Sequence, residues 1–182
     1  MRKLVASFFI SLNGVVDSPQ DWHSPYMDDE IAGAIGAGMR AETIVLGRRT
    51  YEEWAAFWPH QPSDGGMADY INRTPKLVAS TTLDRLEWET SSLIDGDVVE
   101  ALTELKKQNG GDIAINGSGT LVRGLLEAEL VDELRLLIHP IVVGQGKHLF
   151  EGGGEPKGMQ LAESQTFGSG VLNVTYRAAA PS

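Results

Sequence analysis

Cysteine is absent from this 182-residue chain. That excludes disulfides, thiolate nucleophiles, cysteine-ligated zinc and iron–sulfur clusters together, and it agrees with a cytoplasmic location. Basic residues are scarce: 15 Lys and Arg stand against 25 Asp and Glu, a formal net charge of -10. Binding to a phosphate backbone needs a clustered basic surface, so no nucleic-acid partner is expected. No apolar run approaches the roughly 18 residues of a membrane helix, so no membrane span is expected either. The opening MRKLVASFFISLNG imitates a signal peptide, but its alternation suits a strand and no small-residue cleavage site follows. The four histidines, at 23, 60, 139 and 148, lack metal-ligand spacing, and no metal site is expected.

What is present is ordinary for a globular protein, with 42% hydrophobic and 22% charged residues. The length suits one domain over residues 1–182, burying roughly 70% of its unfolded surface. Apolar runs at 3–12, 43–47, 76–80 and 112–116 are short and bounded by turn or helix signals. Such runs read as strands buried on both faces of a mostly parallel sheet.

Helical patterns lie between them. In Asp28–Ala41 a stripe of Ile31, Ile35 and Met39 recurs. Gly33, Gly36 and Gly38 each weaken that helix by roughly 1 kcal/mol relative to Ala, so close packing is expected there. Tyr51–Trp58 gathers Tyr51, Trp54, Ala55 and Trp58 on one face. Asp97 and Glu100 form a capping-box-like start for Val98–Gln108, which Asn109-Gly110-Gly111 ends. Leu121, Leu125 and Leu126 mark Gly119–Ala128. The last third is β-rich, with a run at Glu133–Val143 and a hairpin of 159–167 and 171–178 around Gly168-Ser169-Gly170. The expected architecture is a three-layer α/β/α domain with a mixed, mostly parallel sheet and a C-terminal antiparallel hairpin.

Two stretches carry chemistry. In TIVLGRRTYEEW an apolar strand ends at Gly47, and Arg48, Arg49 and Thr50 follow as a helix begins. The first amides of a helix lack internal partners and carry partial positive charge, so with two guanidinium groups they suit an anion. The plainer reading is a helix cap at Thr50 with two solvated arginines. In DIAINGSGTLVRGLL a second strand ends at Asn116, Gly117, Ser118 and Gly119, with Thr120 and Leu121 opening the next helix. Glycines there let a backbone approach a ligand closely. The dinucleotide fingerprint is not met, because Val122 stands where its third glycine belongs, and no Walker sequence is present.

The order KLVASFFISLNG, Trp22, TIVLGRRTYEEW, KLVASTT, IAINGSGTL and HPIVVGQGKHLF resembles the dihydrofolate-reductase-like superfamily. The likeness is strongest to the branch of the C-terminal reductase domain of bacterial riboflavin biosynthesis proteins. It implies NADPH as cofactor, hydride transfer to a small bound heterocycle and homodimerisation. By the same resemblance Arg48, with Arg49 beside it, meets the 2′-phosphate, and Gly47 and Thr50 meet the pyrophosphate. Ser80 and Thr81 lie beside the adenosine half, and Asn116, Gly117, Ser118, Gly119, Thr120 and Leu121 lie under the pyrophosphate and nicotinamide ribose. A cis peptide is implied at Gly117–Ser118. Ala6, Ile10 and Gly14 resemble positions against the nicotinamide ring. Two positions depart from the pattern: Asn13 replaces a common aspartate, and Met27 stands where dihydrofolate reductases carry an acid. The deaminase module that often precedes the riboflavin reductase domain is not expected within these residues, since its cysteine-rich zinc motif needs cysteine.

Hydride reduction of a carbonyl or imine also needs a proton source. Asp28 is the expected catalytic acid, although Asp28, Asp29 and Glu30 also read as favourable charges in a first helical turn. Asn13, Asp17, Trp22 and Trp54 are the expected substrate contacts, although a tryptophan at helical spacing such as Trp54 is more often core or interface. His139 reads as structural. Residues 133–150 read either as a dimer surface or as an ordinary buried strand. The expected function is an NADPH-dependent reductase of a pteridine- or aminopyrimidine-like substrate. The alternatives are a catalytically inactive nucleotide-binding or ligand-sensing homodimer, or a flavin or deazaflavin in place of the nicotinamide.

Overall fold

The computed structural model describes residues 1–152 and 155–179. Its strands are β1 (Leu4–Ser11), β2 (Thr43–Gly47), β3 (Lys76–Ala79), β4 (Ser91–Leu93), β5 (Ile113–Ile115), β6 (Glu133–His139), β7 (Met159–Thr166) and β8 (Leu172–Ala178). Its helices are α1 (Asp29–Gly38), α2 (Arg48–Phe57), α3 (Met67–Arg73), α4 (Val98–Lys107) and α5 (Gly119–Glu127). All eight strands join one sheet in the order β4-β3-β2-β5-β1-β6-β8-β7. Pairing is parallel from β4 to β6 and antiparallel for β6–β8 and β8–β7.

Alternation along the strands decides which helix covers which face. Leu4, Ala6 and Ile10 of β1 and Val45 of β2 share a buried cluster with Leu102 of α4 and with Val122 and Leu125 of α5. The neighbouring positions Ile44 and Leu46 point the other way, to Tyr51 of α2 and Ile71 of α3. On that same face Phe9 and Leu137 meet Ile31 of α1, with Phe167 and Val171 from the hairpin turn. The three layers are therefore α1–α3, the sheet, and α4–α5. Right-handed crossovers produce this arrangement, because the chain steps one way from β1 to β4 and back the other way from β4 to β6. The direction reverses between β2 and β5, the place where open α/β sheets leave a crevice outside their carboxyl ends.

Several expectations need correction. Only Ile31 of α1 is fully buried, and an added Cβ at Gly33 or Gly38 would meet nothing within 4 Å. The glycines of α1 are therefore not compensated by close packing. β4 and α3 were not expected from the sequence; both are short, and β4 offers only Ser-Ser-Leu. β6 has β1 on one side and β8 on the other, so it is an interior strand and not a free dimer edge. The free edge at that side is β7, exposed from Gln160 to Thr166.

Candidate active site

Parallel pairing brings the ends of β3, β2, β5, β1 and β6 to one edge of the sheet, and with them the loops singled out in the sequence. The two glycine junctions touch. The Gly47 amide donates to the Gly117 carbonyl at 3.1 Å. A Cβ built on Gly47 would stand 2.7 Å from Ser118 Oγ, and one on Gly117 would stand 2.6 Å from Thr50 Oγ1. Gly117 also has φ +135, a region that side chains rarely adopt. The peptide between Gly117 and Ser118 is cis. These contacts join the two turns into one continuous surface.

The two helices that leave the joint differ at their starts. Ser118 caps α5 by accepting from the Leu121 amide at 3.4 Å. α2 begins at Arg48 with Gly47 as its N-cap and has no side-chain cap, so Thr50 is a first-turn residue and not the cap. Its opening amides retain their partial positive charge. Arg48 Nη1 lies 3.0 and 2.9 Å from the two carboxylate oxygens of Glu52, and Arg49 Nε lies 3.4 Å from Glu53. Gly47 is in register with Ala79, which sets Ser80 and Thr81 beside this helix start. The Ser80 hydroxyl accepts from the Thr82 and Leu83 amides at 3.2 and 3.0 Å, leaving its proton free to donate.

On the other side of β5, the loops after β1 and β6 border an open cavity of about 290 Å³. Asp17, Ser18, Asp21, Trp22, Val143, Gln145 and Gly146 line it. The Asn13 amide fastens its wall: Nδ2 donates to the Val143 carbonyl at 2.9 Å and Oδ1 accepts from the Val143 amide at 3.0 Å. Oδ1 also accepts from the Ser11 hydroxyl at 2.8 Å. An aspartate could not donate to that carbonyl, so the amide at position 13 fits this clasp. Gly146, at φ +134, presses against Val15, where a Cβ would come within 2.6 Å of Val15 Cγ1. The segment Gly14–Val16 pairs with Lys147–Leu149 beside the cavity. Arg123 of α5 anchors that pairing by donating to the carbonyls of His148 and Leu149, each at 3.1 Å.

Not every predicted contact reaches this edge. Ala6 and Ile10 are buried in the core cluster shared with α4 and α5. Trp54 packs edge-to-face on Trp58 in the cluster of α2 and α3, away from the cavity. Asp28 caps α1 by accepting from the Ile31 amide at 2.9 Å. That bond outweighs the opposing effect of desolvation and, with help from Ser169 and the Glu30 amide, holds its carboxyl below the usual range. Asp28 thus stands at the N-cap of α1, just ahead of its first turn. Met27, at the family's acidic position, is exposed.

Trp22 lines the cavity and also meets His139 edge-on at 5.3 Å between centroids. Phe9, His23 and Tyr26 complete an aromatic cluster around that histidine. Burial pushes both imidazoles below their ordinary value, and the His139 Nδ1–H donates to the Leu137 carbonyl at 2.9 Å, leaving Nε2 without a partner among the described residues. The sequence reading missed Val143, Gln145 and Gly146 as cavity residues. Their signal was present in the V-V-G-Q-G run just past a strand end, which is where such sites form. Among the described residues, no group of three or more His, Cys, Asp or Glu is arranged to hold a metal ion. Among the same residues no helix is long and apolar enough to cross a membrane.

Residues 2–173 match the family model described as the RibD C-terminal domain. The chain is 27% identical over 181 residues to the uncharacterized protein YyaP of Bacillus subtilis (strain 168), covering 96% of this chain and 94% of that one. Its fold matches a Shewanella sp. PV-4 structure assigned provisionally to riboflavin biosynthesis, with TM-score 0.79, 20% identity and coverage of 98% and 99% of the two chains. It also matches Enterococcus faecalis dihydrofolate reductase complexed with NADP(H) and RAB-propyl, with TM-score 0.65, 17% identity and coverage of 98% and 97%. Both structural likenesses show a dihydrofolate-reductase-like fold. With a matched model that spans nearly its whole length, the chain belongs to the RibD C-terminal domain family.

Proposed function

We propose that this chain is an NADPH-dependent reductase of a small heterocycle bearing a carbonyl or imine, of pteridine- or aminopyrimidine-like kind. The observation that carries the reading is the Gly47–Gly117 hydrogen bond at 3.1 Å. It fixes an uncapped, diarginine-bearing helix start against a Gly-Ser-Gly turn where the strand order reverses, one loop away from the Trp22 cavity. Free amides, two guanidinium groups and two glycines without side chains suit a dinucleotide polyanion. The dihydrofolate reductase of like fold is described with NADP(H) bound, in keeping with this reading.

In this reading Arg48 and Arg49 hold the 2′-phosphate and Ser80 and Thr81 flank the adenosine half. Thr50 and the α2 amides face the pyrophosphate, and Asn116–Leu121 underlie the pyrophosphate and ribose. Gly14 marks where the nicotinamide meets the cavity. Bound there, NADPH supplies the hydride. Trp22 gives the planar substrate an apolar wall, and the carboxylates of Asp17 and Asp21 accept its N–H groups. With Asp28 engaged as a helix cap, the proton comes from a water ordered by the Asp17 and Asp21 carboxylates. A homodimer remains part of the reading, supported by the exposed outer edge of β7, the terminal strand of the sheet among the described residues.

The capped Asp28 and the exposed Met27 favour one rival, an inactive nucleotide-binding or ligand-sensing homodimer on the same fold. Thermal shift against NADPH, NADH, FMN and a deazaflavin tests the cofactor. The largest stabilisation is expected from NADPH; a shift from a flavin alone would overturn it. Oxidation of NADPH with a panel of pteridines and aminopyrimidines then separates reductase from sensor, the sensor showing binding without turnover.

A further inference from the structure

Helix electrostatics favours acids in the first turn and bases in the last, and it ranks a glutamate four residues before a base above the reverse order. α2 inverts both preferences. Its first turn carries Arg48 and Arg49, and Glu52 and Glu53 follow one turn later. Each arginine is answered by the glutamate four residues on, so the exposed start of the helix carries no net charge from these four side chains. The two pairs are unequal. Arg48 Nη1 reaches both oxygens of Glu52 at 3.0 and 2.9 Å, whereas Arg49 makes one 3.4 Å contact with Glu53. All four side chains are about half exposed, between 44% and 64%, so exchange of partners is unhindered.

Resting on the cofactor reading above, we propose that Glu52 is a specificity-determining residue that limits the preference for a 2′-phosphorylated dinucleotide. Its carboxylate occupies the Arg48 guanidinium that the 2′-phosphate needs. A bound 2′-phosphate must displace Glu52 and then lies near its negative charge. NADH makes neither demand. Glu52 therefore weakens NADPH while leaving NADH untouched, and the chain discriminates less sharply than a diarginine motif alone would allow. Glu53, with its longer contact to Arg49, acts the same way but less.

The test is isothermal titration of NADPH and NADH into the unaltered protein, Glu52→Gln, Glu53→Gln and Arg48→Ala. Glu52→Gln should bind NADPH roughly two- to fivefold tighter with NADH unchanged, the range of an exposed ion pair converted to affinity. The gain should exceed that of Glu53→Gln and shrink in high salt. Unchanged or weaker NADPH binding in Glu52→Gln, or an equal gain for both nucleotides, would overturn the assignment of Glu52 alone. Failure of the unaltered protein to bind either nucleotide would overturn the cofactor reading and this one together. Melting curves of each variant, expected to match the unaltered protein closely, show that the comparison is made on folded chains.

Discussion

At the amino ends of the strands, buried Glu133 meets Lys3, Arg135 and Arg177 at 3.0, 2.6 and 3.2 Å. Beside it Lys106 contacts Asp132 at 2.6 Å, and Arg2 donates to Thr43 and to the Gly111 carbonyl. At the carboxyl ends the charges are exposed, each arginine of α2 leans on its own helix, and glycines stand where side chains would clash. The first edge is closed by charge pairs that span the sequence. The second keeps its polar groups available and its pairs easily exchanged. One sheet thus divides stability from binding, and substitutions at its two edges should separate these properties.

The largest effect is expected at Glu133. Removing a buried carboxylate from three cations should cost about 2–4 kcal/mol in urea unfolding, at the lower side because its partners are partly solvated. Glu133→Ala should leave nucleotide binding intact in the refolded protein; parallel loss of both would break the division. Burial pushes this carboxyl up, but hydrogen bonds and charge from Arg135 and Lys3 outweigh it and hold the group at about 2, below its ordinary 4.5. Because the folded value is the lower one, its contribution is full above about pH 4.5 and fades as pH falls toward 2. The unaltered protein should lose stability through that window, and Glu133→Ala should lose less.

Gly146→Ala is expected next, at about 1–3 kcal/mol, since φ +134 and Val15 at 2.6 Å both resist a side chain. Here the cavity wall moves as well, so substrate KM should rise while NADPH affinity holds. An unchanged KM would remove Gly146 from the site. Asp28 gives the smallest effect and sharpens the boundary between the edges. Asp28→Ala should lower Tm modestly through the lost cap, whereas Asp28→Asn, an equally good cap, should match the unaltered protein in both Tm and turnover. A turnover collapse in Asp28→Asn would restore its role as the acid.

Much of the fold was legible because one-dimensional pattern encodes it. The apolar runs became β1, β2, β3 and β5, and the alternation around Gly168-Ser169-Gly170 became β7 and β8. β4 was not legible, since Ser91–Leu93 has neither length nor alternation and is a strand only because β3 pairs with it. The two glycine junctions were visible as separate stretches. Their contact was not, because it depends on β5 inserting between β2 and β1. The fate of Asp28 was written in its position before Ile31, where capping competes with catalysis. The pairing of Arg48 with Glu52 was also readable from the four-residue spacing in RRTYEE, and the charge excess at that helix start was overestimated for want of it. Glu133 could not be read as a hub, because its partners come from the chain start, its own strand and β8.

The claim that the carboxyl edge binds a 2′-phosphorylated dinucleotide is tested most directly by titrating NADPH and NADH into Arg48→Ala. NADPH affinity should fall roughly tenfold or more, the worth of a charge-assisted hydrogen bond, while NADH affinity and Tm stay where they were. An equal fall for both nucleotides, or none for either, would contradict it.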